Sequence, residues 1–261
     1  MERNNKRFEI MNVLISIITP AYNSSKLISQ TYQAILSQTY CNWEWIVTDD
    51  CSTDDTFEVL KKISFEDERV KVFRNNKNSG AAISRNNSIE NAKGEYLAFI
   101  DSDDLWIENK LELQLKFMID KRINFSFTAY EIIDHNDNST GKFVDTHHKK
   151  SLSYSDMLRK KATLGCSTVM LRKNAFSDLK MPLIRTGQDY ALWLKLLKGG
   201  NRAYPLTTVL TKYRILPNSI SRNKFKKAKR QWQIYRQLED LSFFSSLECF
   251  CFYGWRAVFR K

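Results

Sequence analysis

Four short runs rich in β-branched and aromatic residues, at 13–18, 43–48, 70–74 and 96–100, recur within the first 105 residues, and one amphipathic segment separates each from the next. Runs of this length are too short for helices, and their near-continuous apolar character suits strands buried on both faces of a parallel sheet. The intervening segments predict helices over 27–38, 57–63 and 81–92, launched by polar turns such as Tyr22-Asn23-Ser24-Ser25. A β-α-β-α-β-α-β alternation at this spacing constrains the chain to an α/β fold with a mostly parallel central sheet.

Beyond Trp106 the pattern loosens. Helices are expected over 110–120, 155–160 and 188–198, strands over 125–133, 167–172 and 208–215, and a turn over 135–140. In the third of these helices Tyr190, Trp193, Leu194 and Leu197 fall at core-facing spacing, and Gly199-Gly200 ends it. From Asn223 onward Trp232, Tyr235, Leu238 and Leu241 form an apolar stripe on a basic helix. There are no internal repeats or low-complexity tracts. The economical division is one domain over 12–220, made of halves 12–106 and 107–220, with a basic amphipathic helical tail over 221–261.

Several chemistries are excluded. With eight glycines in all, there is no GxGxxG and no phosphate-binding GxxxxGK[ST] loop, and HExxH and GxSxG are also absent. His135, His147 and His148 read as surface loop residues. The five cysteines show neither zinc spacing nor CxxC, and read as reduced thiols of a cytosolic protein without disulfides. The opening residues do not resemble a signal peptide, and no apolar stretch is long enough to span a bilayer.

What remains are acids at strand ends. The second run closes on Asp49-Asp50 and the fourth on Asp101-Ser102-Asp103-Asp104. The carboxyl ends of parallel strands are where open α/β sheets bind ligands. Carboxylates this close repel one another unless a cation or hydrogen bonds neutralise them, and a divalent ion combines one or two carboxylates with substrate phosphates. The alternative is an acidic cap, Ser102 or Asp103 starting a helix at Leu105, and the two readings are compatible. Asp189 opens the 188–198 helix, where the dipole favours an anion, and is a candidate general base.

ISIITPAYN at 15–23, WIVTDDCSTDDT at 45–56, NSGAAISRNNSI at 78–89, GEYLAFIDSDDLW at 94–106 and GQDYALWLKLLKGG at 187–200 occur together and in order. With these motifs the chain resembles a family 2 glycosyltransferase of the GT-A fold, over roughly 12–220, with a C-terminal helical extension. It is similar in particular to small bacterial enzymes of capsule, teichuronic acid and O-antigen assembly, including β-1,3-glucosyltransferases acting on a lipid-linked amino sugar. The resemblance implies a UDP-sugar donor, UDP-glucose first and UDP-galactose next, with Mn²⁺ or Mg²⁺. The acceptor it implies is a GalNAc or GlcNAc carried on a polyprenyl (undecaprenyl) diphosphate. It makes 12–106 the nucleotide-binding half and 107–220 the acceptor half. Residue by residue, Pro20, Ala21 and Tyr22 match the nucleoside-pocket turn, and Asp50, or its neighbour Asp49, the acid that bonds the uracil imide. Arg85 matches an arginine near the donor. Asp101, Ser102 and Asp103 match the DxD motif, Asp101 toward ribose and metal and Asp103 toward metal, with Asp104 extending the cluster behind them. Asp189 matches the catalytic base. The family more often has Glu-Asp where this chain has Gln188-Asp189, which puts in doubt any acceptor contact carried by that Glu.

Net charge is +12, and residues 222–261 carry ten Lys/Arg against three Asp/Glu. Such a tail wants an anionic partner, nucleic acid or the cytoplasmic membrane face. The basic run 224–232 and the aromatic run 243–255 fit an interfacial anchor, placing the protein peripherally on the inner face of a bacterial membrane, where a lipid-linked acceptor resides. A nucleic-acid partner is disfavoured, because strand-end acids would repel phosphate.

Overall fold

The computed structural model describes residues 12–216 and 224–259; the expected domain–tail junction at 220–221, the start of the basic helix at Asn223 and the last two residues lie outside them. Strands β1 (Ile15–Ala21), β2 (Trp43–Asp49), β3 (Val70–Arg74) and β4 (Tyr96–Phe99) run parallel in the order β3-β2-β1-β4. Helices α1 (Ile28–Leu36), α2 (Thr56–Glu66) and α3 (Ala81–Glu90) make the crossovers. Alternate residues of one strand feed different cores. Leu97 and Phe99 join Ile18, Ile46 and Trp193 on one face, while Tyr96, Ala98 and Ile100 join Ile15, Ile17 and Trp45 on the other. Packing on both faces is why these runs lack polar alternation. Gly94 lets β4 start beside β1: a Cβ there would lie 2.6 Å from Ser16 N and 2.7 Å from Leu14 O.

The sheet continues without a break into the second half of the chain. β5 (Leu105–Trp106), β6 (Phe125–Ile133), β7 (Ser139–Val144), β8 (Val169–Arg172) and β9 (Tyr204–Arg214) extend it as β4-β8-β6-β9-β5, with β7 also on β6. β8 is antiparallel to both β4 and β6, and β9 is parallel to β6. Helices α4 (Lys110–Lys121), α5 (Tyr154–Leu158) and α6 (Gln188–Lys198) cover it.

Three local expectations are corrected. No helix starts at Leu105, so neither Ser102 nor Asp103 caps one: Leu105 and Trp106 pair with Lys212 and Thr211 of β9, and Trp106 Nε1 donates to Ser167 O at 2.7 Å. The turn expected over 135–140 already contains the start of β7, whose exposed residues carry too little apolar pattern to announce a strand. Strand β9 begins at Tyr204 rather than 208, because Tyr204 to Leu206 pair with Ser126 to Thr128.

The tail packs on the domain. α7 (Lys224–Gln233) runs into a π turn, Ile234–Leu238, and α8 (Phe243–Phe259) follows. Ile234 and Tyr235 are buried in the main core, Tyr235 Oη donates to Leu158 O at 2.6 Å, and Tyr154 Oη donates to Glu239 Oε2 at 2.7 Å. The π turn rotates the face of the helix, so the expected stripe is split: Tyr235 is buried while Leu238 is 40% exposed. Outward stand Phe225, Phe244, Trp255 and Phe259, each at least 60% exposed. Among the described residues no helix is long and apolar enough to cross a membrane.

Candidate active site

Parallel pairing brings the carboxyl ends of β1, β2 and β4 to one edge. Pro20 and Ala21 lie in register with Thr48 and Asp49, and Asp50 N donates to Ala21 O at 2.8 Å, so the 20–22 turn flanks the first acid pair. Tyr22 is half exposed there. Both loops are latched: Asn23 N donates to Ser52 Oγ at 3.0 Å and Thr53 N to Asn23 Oδ1 at 2.9 Å. The two acids differ. Asp50 uses both oxygens to hold the loop before α3, accepting from Asn75 Nδ2, Ser79 N and Gly80 N at 2.7–2.8 Å. Asp49 accepts from Ser52 N through Oδ2, which also pairs with Arg74, and its buried Oδ1 has no protein partner.

The turn after β4 is held from three sides. Asp104 is buried, and its Oδ1 accepts from Arg214 N at 2.9 Å and its Oδ2 from the Ser167 hydroxyl. The same hydroxyl oxygen accepts from Asp101 N, and Thr31 Oγ1 donates to Asp104 O at 3.0 Å. Arg214, itself buried, sends Nε to Asp103 O at 2.7 Å, Nη2 to Gln30 Oε1 at 3.0 Å and Nη1 to Asp137. Asp104 is therefore a structural bolt, while Asp101, Ser102 and Asp103 remain partly exposed.

Burial, and then the carboxylate of Asp101, push the Asp103 carboxyl up to about 6; burial and both neighbouring acids push Asp104 well up. This crowding is the chemistry a divalent cation relieves. Among the described residues no group of three or more His, Cys, Asp or Glu could hold a metal by themselves. Two partly exposed carboxylates fit an ion that completes its shell from phosphate oxygens and water.

Arg85 comes from α3, its side chain buried, with Nη2 bonded to Asp101 and with Nε and Nη1 unpartnered. Burial works against its charge, but Asp101, Cys166 and Asp189 outweigh that and push its pKa up. Asp189 lies in the first turn of α6, after Gly187 at φ +77°, and is partly exposed. Gln188 is buried with its Oε1 unpartnered. Every expected site residue thus stands at this edge of the sheet or on α3 and α6 beside it. The histidines do not: His135 and His147 are exposed, and His148 bonds Asp145 at 3.1 Å. Arg214, Ser167 and Arg74 were not anticipated. A lone arginine closing an apolar strand and a serine in a short 3₁₀ turn carry no pattern; only their contacts reveal them.

The chain matches the description Glycosyl transferase family 2 over residues 16–179. It is 44% identical over 248 residues to the "Putative teichuronic acid biosynthesis glycosyltransferase TuaG" of Bacillus subtilis, covering 95% of this chain and 97% of that protein. It is 42% identical over 223 residues to the "UDP-Glc:alpha-D-GlcNAc-diphosphoundecaprenol beta-1,3-glucosyltransferase WfgD" of Escherichia coli, covering 85% of each. Among solved structures, S. aureus TarS 1–349 in complex with UDP-GlcNAc superposes with a TM-score of 0.72 at 20% identity, over 94% of this chain and 73% of that one.

Proposed function

The chain belongs to glycosyl transferase family 2, and we propose that it moves a hexose, glucose first, from a UDP-sugar to a GlcNAc or GalNAc linked to undecaprenyl diphosphate, forming a β-linkage, β-1,3 first. The name of the Escherichia coli relative supports this pairing of donor and acceptor. The second reading is a galactosyl or N-acetylhexosaminyl transfer in capsule or teichuronic acid synthesis, and the name of the Bacillus subtilis relative supports its teichuronic acid branch.

One observation carries the reaction type. A buried arginine, Arg85, is bonded to Asp101 and lies within electrostatic reach of Asp189, so a donor-side acid and an acceptor-side acid share one buried cation. In our reading Asp189 takes the proton of the acceptor hydroxyl while that oxygen bonds the anomeric carbon and the bond to UDP breaks on the opposite side. One displacement turns an α-linked donor into a β-glycoside, without the covalent intermediate of two-carboxylate retaining hydrolases. Asp101 and Asp103 would hold Mn²⁺ or Mg²⁺, which when bound neutralises charge on the departing diphosphate. Pro20, Ala21 and Tyr22 take the nucleoside, Asp101 also faces the ribose, and Ser102 completes the donor-binding turn. The uracil imide has two candidate acceptors: Asp49 with its free Oδ1, and Asp50, whose Oδ2 accepts only from Gly80 N and keeps a lone pair. The exposed aromatics of α7 and α8 with their lysines and arginines support docking on an anionic inner-membrane surface, each basic residue adding about 1 kcal/mol.

The test is a donor screen: UDP-sugars with Mn²⁺ and a GlcNAc- or GalNAc-diphosphate-lipid analogue, the product linkage read by NMR. A β-glucoside on the amino sugar is expected; an α-linked product would sink the single displacement. Flotation with anionic vesicles at low salt tests the tail, and failure to float counts against docking.

A further inference from the structure

Helix α7 does more than end the domain: it lies on the start of α6. Gly187, the residue before α6, meets α7 so closely that a Cβ there would sit 3.2 Å from Arg230 Cδ and 3.3 Å from Ile234 Cδ1. Arg230 has no hydrogen-bonded or ion-paired partner among the described residues, and next to it the buried Gln231 reaches the Tyr190 and Tyr235 hydroxyls. Across the contact, Gln188 is 7% exposed with Oε1 unpartnered, and the buried Oγ1 of Thr186 is likewise unpartnered. Buried polar atoms are nearly always satisfied, so these two orphans facing an unpaired arginine mark a place where a polar ligand belongs.

The sign of that ligand follows from the cations. Lys227 lies one turn before Arg230 on the same face of α7. Burial, then the charge of Arg230, push the Lys227 pKa down; burial pushes that of Arg230 down, opposed by Asp189 and Tyr253. Lys227 and Arg230 crowd each other, and of the two only Arg230 feels a carboxylate, that of Asp189, so the pair favours an anion. The donor side is already marked by Arg85, which feels Asp101 and Asp189, whereas Arg230 feels Asp189 and neither Asp101 nor Asp103. Asp189 thus stands between a donor-side and a far-side arginine, and the far side belongs to the helix whose outer surface is aromatic and basic.

We propose that Arg230 and Lys227 bind the diphosphate of a lipid-linked acceptor, with Gln188 offering a hydrogen bond to its sugar, so that the tail helix delivers the acceptor hydroxyl to Asp189. The proposal rests on the acceptor class put forward above. It makes the tail a wall of the acceptor site as well as a membrane contact, and it assigns to Gln188 an acceptor contact of its own.

The experiment compares two acceptors on the full chain: a sugar-diphosphate-lipid and the same sugar as a neutral alkyl glycoside. Wild type should prefer the diphosphate. Arg230→Gln should lose about ten- to a hundredfold of that preference, through KM rather than kcat, as expected for a lost charged hydrogen bond. Arg230→Lys should recover part of it, and Lys227→Gln should show a smaller loss. An unchanged preference overturns the proposal; so does an equal loss on both acceptors, which would make Arg230 a support for Asp189, or a raised KM for the UDP-sugar, which would put it on the donor side. If wild type glycosylates neither acceptor, the acceptor class is wrong, and calorimetric binding of a short-chain prenyl diphosphate still judges the site: equal affinity of wild type and Arg230→Gln refutes it.

Discussion

Replacing Arg214 with methionine should release the 101–104 turn while leaving every carboxylate in place. Methionine keeps most of the stem volume, so the loss lies in the guanidinium. Its Nε to Asp103 O (2.7 Å) and Nη2 to Gln30 Oε1 (3.0 Å) are charge-assisted bonds in a buried setting, each contributing about 1.5–3 kcal/mol. Its partner Asp137 has a side chain 45% exposed, so that ion pair adds about 1 kcal/mol at most. The sum is about 3–7 kcal/mol. At about 2–4 °C per kcal/mol for a domain near this size, thermal unfolding should fall by roughly 6–28 °C. Because the backbone of Asp103 loses its tether, the Mn²⁺ concentration giving half-maximal turnover should rise as well. Arg214→Lys keeps the charge but cannot fork to three acceptors, and should recover less than half of the loss. A fall below about 3 °C, with unchanged metal dependence, would refute the view that Arg214 positions the 101–104 turn.

Other outcomes follow from the same geometry. Asp189→Asn should lower transfer by about 10²–10⁴-fold with UDP binding retained by calorimetry, and normal turnover would remove Asp189 as base. Because the Asp103 carboxyl titrates near 6 rather than in the ordinary carboxylate range, protonation competes with a cation as pH falls through 6. The half-saturating Mn²⁺ concentration should therefore climb between pH 7 and pH 5; a flat titration over that range would contradict the assignment. Gly94→Ala puts a Cβ 2.6–2.7 Å from the backbone of β1 and should destabilise by about 1–3 kcal/mol or abolish soluble expression. Gly187→Ala combines φ +77° with contacts of 3.2 and 3.3 Å to α7; faster tryptic cleavage in α7 is expected, and unchanged proteolysis would mean that α7 does not depend on this close approach.

The parallel half was legible because its signals are local. Each buried run feeds two cores, so apolar continuity and strand identity coincide, and Asp49, Asp50, Asp101 and Asp103 mark the strand ends by charge alone. Asp189 was legible through the helix it opens. Less was readable where identity depends on a distant partner. Leu105-Trp106 looks like the start of a helix until β9 pairs with it, and nothing in Ser139 to Val144 signals a strand without β6 alongside. Asp104 looked like one more member of an acid cluster, and only Arg214 and Ser167 show it to be a bolt. The stripe on the tail was misread by a helical period that the π turn breaks.

The bolt between Asp104 and Arg214 joins positions 110 residues apart. A ribosome adding about 5–20 residues per second needs roughly 5–20 s to make the second after the first. Until then the 101–104 turn lacks the guanidinium and backbone amide that fix it, so its shape is settled only late in synthesis, when β9 takes its place between β6 and β5.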